Sequence, residues 1–141
     1  MPKVTDICAT NRTGPVTICD FSPPRSGDPG VVEQAQLDVD FISVAYNPGK
    51  STRVNSAFGA HWIKENTGKD VVFTLATRDM NKIATQSLLL GASLVGLENL
   101  VVVMGDEFTE RELAATKAVD DFSPTELVRS VRSMNEGVDY K

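Results

Sequence analysis

Histidine is nearly missing from this 141-residue chain, His61 being the only one. A Ser–His–Asp or Cys–His site at a strand end is therefore all but excluded, as is a histidine-rich metal centre. His61 falls mid-helix beside Trp62 and reads as a packed or solvated helix residue. Cysteine is also scarce: Cys8 and Cys19 form neither a C-x-x-C pair nor a zinc-like spacing. That excludes a disulfide scaffold and points to a reduced, cytoplasmic setting, with no metal bound. Positive charge is short, with 14 Lys and Arg against 19 Asp and Glu and a net charge of −5. Non-specific nucleic-acid binding, which rests on neutralising phosphates, is not expected. Long apolar runs are absent too. The longest, Leu88 to Leu97, is interrupted by two glycines and a serine. A membrane span needs ~20 residues. The polar N-terminus has no apolar core of a secretory signal.

Nucleotide signatures are missing as well. No G-x-G-x-x-G occurs. The segment N-P-G-K-S-T, Asn47 to Thr52, imitates a P-loop, but its first glycine position is Val44, inside a strand. What survives is an expectation that the Gly49–Thr52 backbone opens a helix and offers N–H groups to an anion.

What the chain does have is alternation. Residues 1–15 form a polar lead-in, either poorly ordered or a short cap, and residues 16–141 a single α/β domain. Val16–Phe21, Phe41–Tyr46, Val71–Thr77 and Leu100–Met104 read as strands, rich in β-branched and apolar residues. Between them come helical patterns. A short helix runs from Asp28-Pro29 to about Leu37. A second spans Ser51 to about Thr67, with Val54, Phe58 and Trp62 on one face and Gly68 as its C-cap. A third spans Met80–Val95, with Ile83, Leu90 and Leu94 inward. Phe108–Val119 is a short helix opened by a Thr109–Glu112 capping box. Pro124–Met134 closes the series, with Leu127, Val131 and Met134 inward. The uninterrupted apolar Leu100–Met104 suggests a strand buried on both faces. Four β-α units of this kind predict a parallel sheet covered by helices. Right-handed crossovers then gather every strand's C-terminal end on one side, where α/β folds hold ligands. Asp20, Tyr46, Thr77–Asp79 and Gly105-Asp106 lie there. Asp20 and Asp106 are the candidate chemical groups, set against the plainer reading that each merely caps a helix or satisfies a loop N–H.

The segments F-S-P-P-R, S-V-A-Y-N-P-G-K-S-T-R, T-L-A-T-R-D-M-N and L-L-L-G-A-S-L-V-G-L-E-N-L-V-V-V-M-G-D occur in an order and spacing that resembles the methylenetetrahydrofolate reductase family. The likeness extends from about Val16 to Gly137. It implies four β-α units equivalent to half of a (β/α)₈ TIM barrel. It also implies FAD at the strand ends, NADH or NADPH as electron donor, a folate substrate, and hydride transfer to 5,10-methylenetetrahydrofolate. By the same resemblance Asp20 takes the position of the family's proton-donating Glu, and Asp106 that of the family's acid after the fourth strand. The flavin-contact positions fall on Ala45, Tyr46, Thr74, Ala76, Met104, Gly105 and Asp106. At several of them a polar family residue is replaced: Ala45, Ala76 and Met104 carry no hydrogen-bonding group. The likeness covers only the first half of the family barrel, which leads to the expectation of a partner, either a second copy or a separate second-half protein. A non-catalytic folate- or pterin-binding or regulatory subunit that has lost flavin chemistry is the alternative.

Overall fold

A computed structural model describes residues 1–10, 13–30 and 35–137. Its elements are α1 (Val4–Ala9), β1 (Ile18–Phe21), β2 (Phe41–Val44), α2 (Ser56–Thr67), β3 (Asp70–Ala76), α3 (Lys82–Leu94), β4 (Leu100–Val103), α4 (Glu110–Leu113) and α5 (Pro124–Asn135). The strands form one parallel sheet in the order β1-β2-β3-β4. Each strand pairs with the next in sequence, without the reversal of order that marks doubly wound sheets. This is α/β architecture with the winding of part of a (β/α)₈ barrel. Among the described residues no helix is long and apolar enough to cross a membrane.

The chain divides into two compact units. Unit one comprises residues 1–74 and 91–101. Its strand register places Cys19, Ile42 and Val71 side by side, and Phe21, Val44 and Phe73 likewise. These side chains share one sheet face, because strand residues alternate. Helix α2 packs on that face so closely that a Cβ on Gly59 would sit 3.4 Å from Val44 Cγ1. The buried Ser56 Oγ donates to the Thr74 carbonyl at 2.5 Å, fixing the start of α2 to β3. Asn55 caps α2 through Ala57 N, and Gly68, at φ 66°, closes it as its position in the sequence predicts. At the opposite end of the strands, the buried Asn99 accepts from Val4 N at 2.9 Å and donates to Pro2 O at 3.0 Å and to Val71 O at 3.3 Å. Those bonds hold α1 in place as a cap, and they satisfy an amide that would be costly to bury unpaired.

Unit two comprises residues 75–90 and 102 onward. Leu75, Ala76, Leu89, Phe122 and Leu127 are its buried apolar residues among those described, and Thr85 is buried with them. Helix α5 opens with Pro124 and a capping box between Ser123 and Glu126; α4 opens with the expected box between Thr109 and Glu112.

Several sequence expectations change in detail. Helix α2 begins at Ser56, not Ser51, and its buried face is Ser56, Ala57, Ala60 and Ile63. Phe58 and Trp62 are exposed. Small side chains allow the close approach at Gly59, where aromatic rings would not fit. In α3 the buried positions are Thr85, Leu89 and Ala92, while Ile83 is 79% and Leu94 87% exposed, and Leu90 is exposed as well. No charged residue occurs from Ile83 to Leu97, so apolar spacing fits more than one face and packing decides between them. Strand β4 is not buried on both faces: Val101 and Val103 are exposed, as befits the outer strand of the sheet order. The helix expected over Phe108–Val119 shrinks to the single turn α4. The one expected from Asp28 to Leu37 starts with Asp28 Oδ1 accepting from Gly30 N at 2.9 Å, and residues 31–34 lie outside the described residues. In α5, Leu127 is buried as expected, with Val131 and Met134 half-buried.

Two predictions follow from this packing. Leu89→Ala should cost about 2–5 kcal/mol in urea unfolding, whereas Leu94→Gln should stay within about 0.5 kcal/mol. The second concerns pH. Hydrogen bonds from the Ser123 hydroxyl and amide hold the Glu126 carboxyl below the usual glutamate range. Its stabilising contribution is therefore complete above that range and is lost as pH falls through the lowered folded value. Burial pushes Asp70 up, against the opposing pull of the N-terminal ammonium and Lys64. Its contribution runs the other way, present in acid and lost as pH rises through the raised value. Stability profiles of Glu126→Gln and Asp70→Asn should therefore depart from the parent in opposite senses.

Candidate functional site

The strand ends of unit one bring two sequence motifs together. The P-P-R segment after β1 and the S-T-R segment after β2 are joined by Arg25 Nη2 to Ser51 Oγ at 3.2 Å, Arg53 Nη1 to Pro23 O at 2.8 Å, and Val54 N to Pro24 O at 2.9 Å. Asp20 lies in register with Ser43, and Ser43 with Val72. All three therefore project from the sheet face opposite to α2. Ala45 and Thr74, each two residues further along its chain, continue the same face. The Asp20 side chain is exposed, whereas Ala45, Tyr46 and Thr74 are half-buried. Ala45 N donates to Phe21 O at 3.0 Å, extending the β1–β2 ladder to the rim.

The N-P-G-K-S-T segment does not form the expected helix start. Asn47, Gly49 and Lys50 all have positive φ, and Pro48–Lys50 is a 3₁₀ turn that ends well before α2. The exposed Phe58 and Trp62 border a hollow of about 250 Å³ together with Phe21 and His61. His61 thus lines this hollow together with Phe21, the last residue of β1, and Pro24 of the P-P-R segment.

In unit two the T-R-D segment after β3 meets the M-G-D segment after β4. Thr77 N donates to Val103 O at 3.0 Å and Arg78 N to Met104 O at 3.2 Å, carrying the ladder past both strands. Arg78 is only 6% exposed. Its Nε and Nη2 donate to the two Asp79 carboxylate oxygens at 2.5 and 2.8 Å. Its Nη1 donates to the Asp106 carbonyl at 2.6 Å, and its guanidinium stands 4.0 Å from the centre of the Phe108 ring. Gly105, at φ 95°, passes so near that a Cβ there would lie 3.3 Å from both Ala76 Cβ and Arg78 Cβ. Beside these residues is a cavity of about 440 Å³, bordered by Arg78, Met104, Gly105, Glu107, Phe108 and Asp120. The Asp106 side chain is exposed and Ala76 is buried.

Of the sequence candidates, unit one thus holds Asp20, Ala45, Tyr46 and Thr74; unit two holds Ala76, Met104, Gly105 and Asp106. Sequence reasoning placed Arg78 at a strand end but gave it no role, and it gave Phe108 none. The available signal was an Arg-Asp pair directly after a buried apolar strand, where an unpaired charge is costly. Among the described residues no group of three or more His, Cys, Asp or Glu gathers as a metal site.

A family model described as Methylenetetrahydrofolate reductase matches residues 10–140. No curated protein matches the chain.

Gly105 combines a left-handed backbone with a tight approach to β3. Gly105→Ala should destabilise the protein by about 1–3 kcal/mol, read by chemical denaturation, because Ala is strained at that φ.

Proposed function

Because the chain belongs to the methylenetetrahydrofolate reductase family, an oxidoreductase family, we propose that it serves folate one-carbon metabolism in the cytoplasm and the supply of methyl groups for methionine biosynthesis. In this reading 5,10-methylenetetrahydrofolate would be reduced to 5-methyltetrahydrofolate, with the hydride supplied by a bound flavin. The observation that carries the reading is the family match over nearly the whole chain. Each of its motif segments ends in the loop that follows a strand.

The residues can be tested against the cofactor the family implies. The cavity beside Arg78 is bordered by Met104, Phe108 and the bare backbone of Gly105, which suits a flat heteroaromatic ring such as the flavin's. FAD, re-reduced by NADH or NADPH, would supply hydride chemistry that no side chain can. Within unit two, Gly105 and Met104 would border the ring. Among the described residues the cation bordering the cavity is Arg78, already engaged by Asp79, and Glu107 and Asp120 add acidic groups to a largely apolar lining. The cavity therefore suits a ring better than a diphosphate.

The protein's own contribution is to proton and charge placement. Opening the folate ring to the reactive iminium requires a proton on the departing nitrogen. We assign that delivery to Asp20, whose exposed carboxyl projects from the sheet face. We assign to Asp106 the favouring of the cationic iminium, through its carboxylate at the end of β4. Exposed apolar strand residues of unit one, Ile18 and Val101, would be covered by further β-α units from a second copy or another polypeptide.

A second reading, folate or pterin binding without flavin chemistry, draws on the same acidic groups and on the apolar side chains at Ala45, Ala76 and Met104. One experiment separates the two. The protein is titrated with FAD and with folate, and the oxidation of protein-bound reduced flavin is then followed after adding 5,10-methylenetetrahydrofolate. We expect flavin uptake and hydride transfer, with Asp20→Asn slowing transfer by about 100-fold or more at nearly unchanged folate affinity. Folate binding without flavin uptake would select the second reading; binding of neither would overturn both.

A further inference from the structure

We propose that Arg78 is a positioning residue: it fixes the Gly105–Phe108 loop and thereby sets where the Asp106 carboxylate meets a ligand. The part that concerns the ligand rests on the functional reading above; the part that concerns the loop does not.

The loop leaves β4 with little regular backbone support. Within it, Arg78 makes three contacts of different kinds. The Arg78 Cβ stands 3.3 Å from where a Cβ on Gly105 would sit, its Nη1 donates to the Asp106 carbonyl at 2.6 Å, and its guanidinium stacks over the Phe108 ring. Arg78 is itself held tightly. Asp79 takes its Nε and Nη2 in a forked pair, and the Arg78 carbonyl accepts from Val119 N at 2.7 Å. A planar guanidinium can fork to a carboxylate, reach a carbonyl and stack on a ring at the same time; an ammonium cannot.

The division of labour is chemical. The charge of Arg78 is matched by the Asp79 carboxylate, while the Asp106 main chain is gripped through its carbonyl. The Asp106 side chain remains exposed. Arg78 therefore locates this acid through its backbone and not by pairing with its carboxylate. With its guanidinium so engaged, Arg78 is a poor anion receptor but a good strut.

The test compares Arg78→Met, Arg78→Lys and Asp79→Asn with the parent protein by ¹⁵N relaxation, with amides of β2 as the control for folding. Order parameters at Gly105–Phe108 should fall from about 0.85 to about 0.6 or lower in Arg78→Met, and in the same direction but less in Asp79→Asn. Strand β2 should be unaffected. Arg78→Lys should fail to restore the loop. If Arg78→Met does not fold, Asp79→Asn decides. Unchanged loop order in the folded variants, or full restoration by Lys, would overturn the proposal. Folate titration adds a double-mutant cycle. Arg78→Met should weaken binding about as much as Asp106→Asn, and the double variant no more than either alone. Additive losses would overturn action through Asp106. A parent protein that binds no folate would end the functional reading, while the relaxation data would still judge the strut.

Discussion

Parallel pairing of consecutive strands is the constraint behind the rest of the molecule. Two parallel neighbours cannot be joined by a tight turn, so each connection must cross from the end of one strand to the start of the next. In this chain α2 and α3 make such crossings, and the order β1-β2-β3-β4 never reverses. Every loop that leaves a strand's C-terminal end is thereby free of the work of returning the chain. It can carry prolines, glycines and charges that a helix or strand would reject. The P-P-R, S-T-R, T-R-D and M-G-D segments all sit in those loops.

Within each unit these loops act in pairs. Arg25 and Arg53 in unit one, and Arg78 in unit two, each bind a backbone carbonyl or hydroxyl of the neighbouring segment. Arginine suits this task because its fork satisfies several acceptors from one side chain. The motifs that gave the chain its family likeness are thus also structural ties.

The existence, type and order of the strands were legible in the sequence, because continuous β-branched runs between Gly and Pro breaks have few other readings. The capping box at Thr109 was legible because its bonds are local; the equally local box at Ser123 came from the structure. Which face of a helix turns inward was not. Phe58 and Trp62 carry the stronger apolar signal in α2, yet Ala57 and Ala60 are buried, because the distance to Val44 admits only small groups. That distance depends on tertiary packing. The role of Arg78 stayed hidden because its partners at Asp106 and Phe108 lie about thirty residues away in sequence, beyond the reach of any local pattern. Asp20 and Asp106 were nominated by their place directly after apolar strands, and the family likeness gave them roles; the structure adds that both side chains are exposed.

The uncharged stretch from Ile83 to Leu97 bears on how the protein behaves in solution. Its outer flank, with Ile83, Leu90 and Leu94 bare to water, has no like-charge repulsion of its own to keep molecules apart. Colloidal stability must come from the acidic excess elsewhere on the surface, and that excess vanishes near the isoelectric point of about 4.8. Acidification toward that point therefore removes the charge repulsion that holds these bare flanks apart.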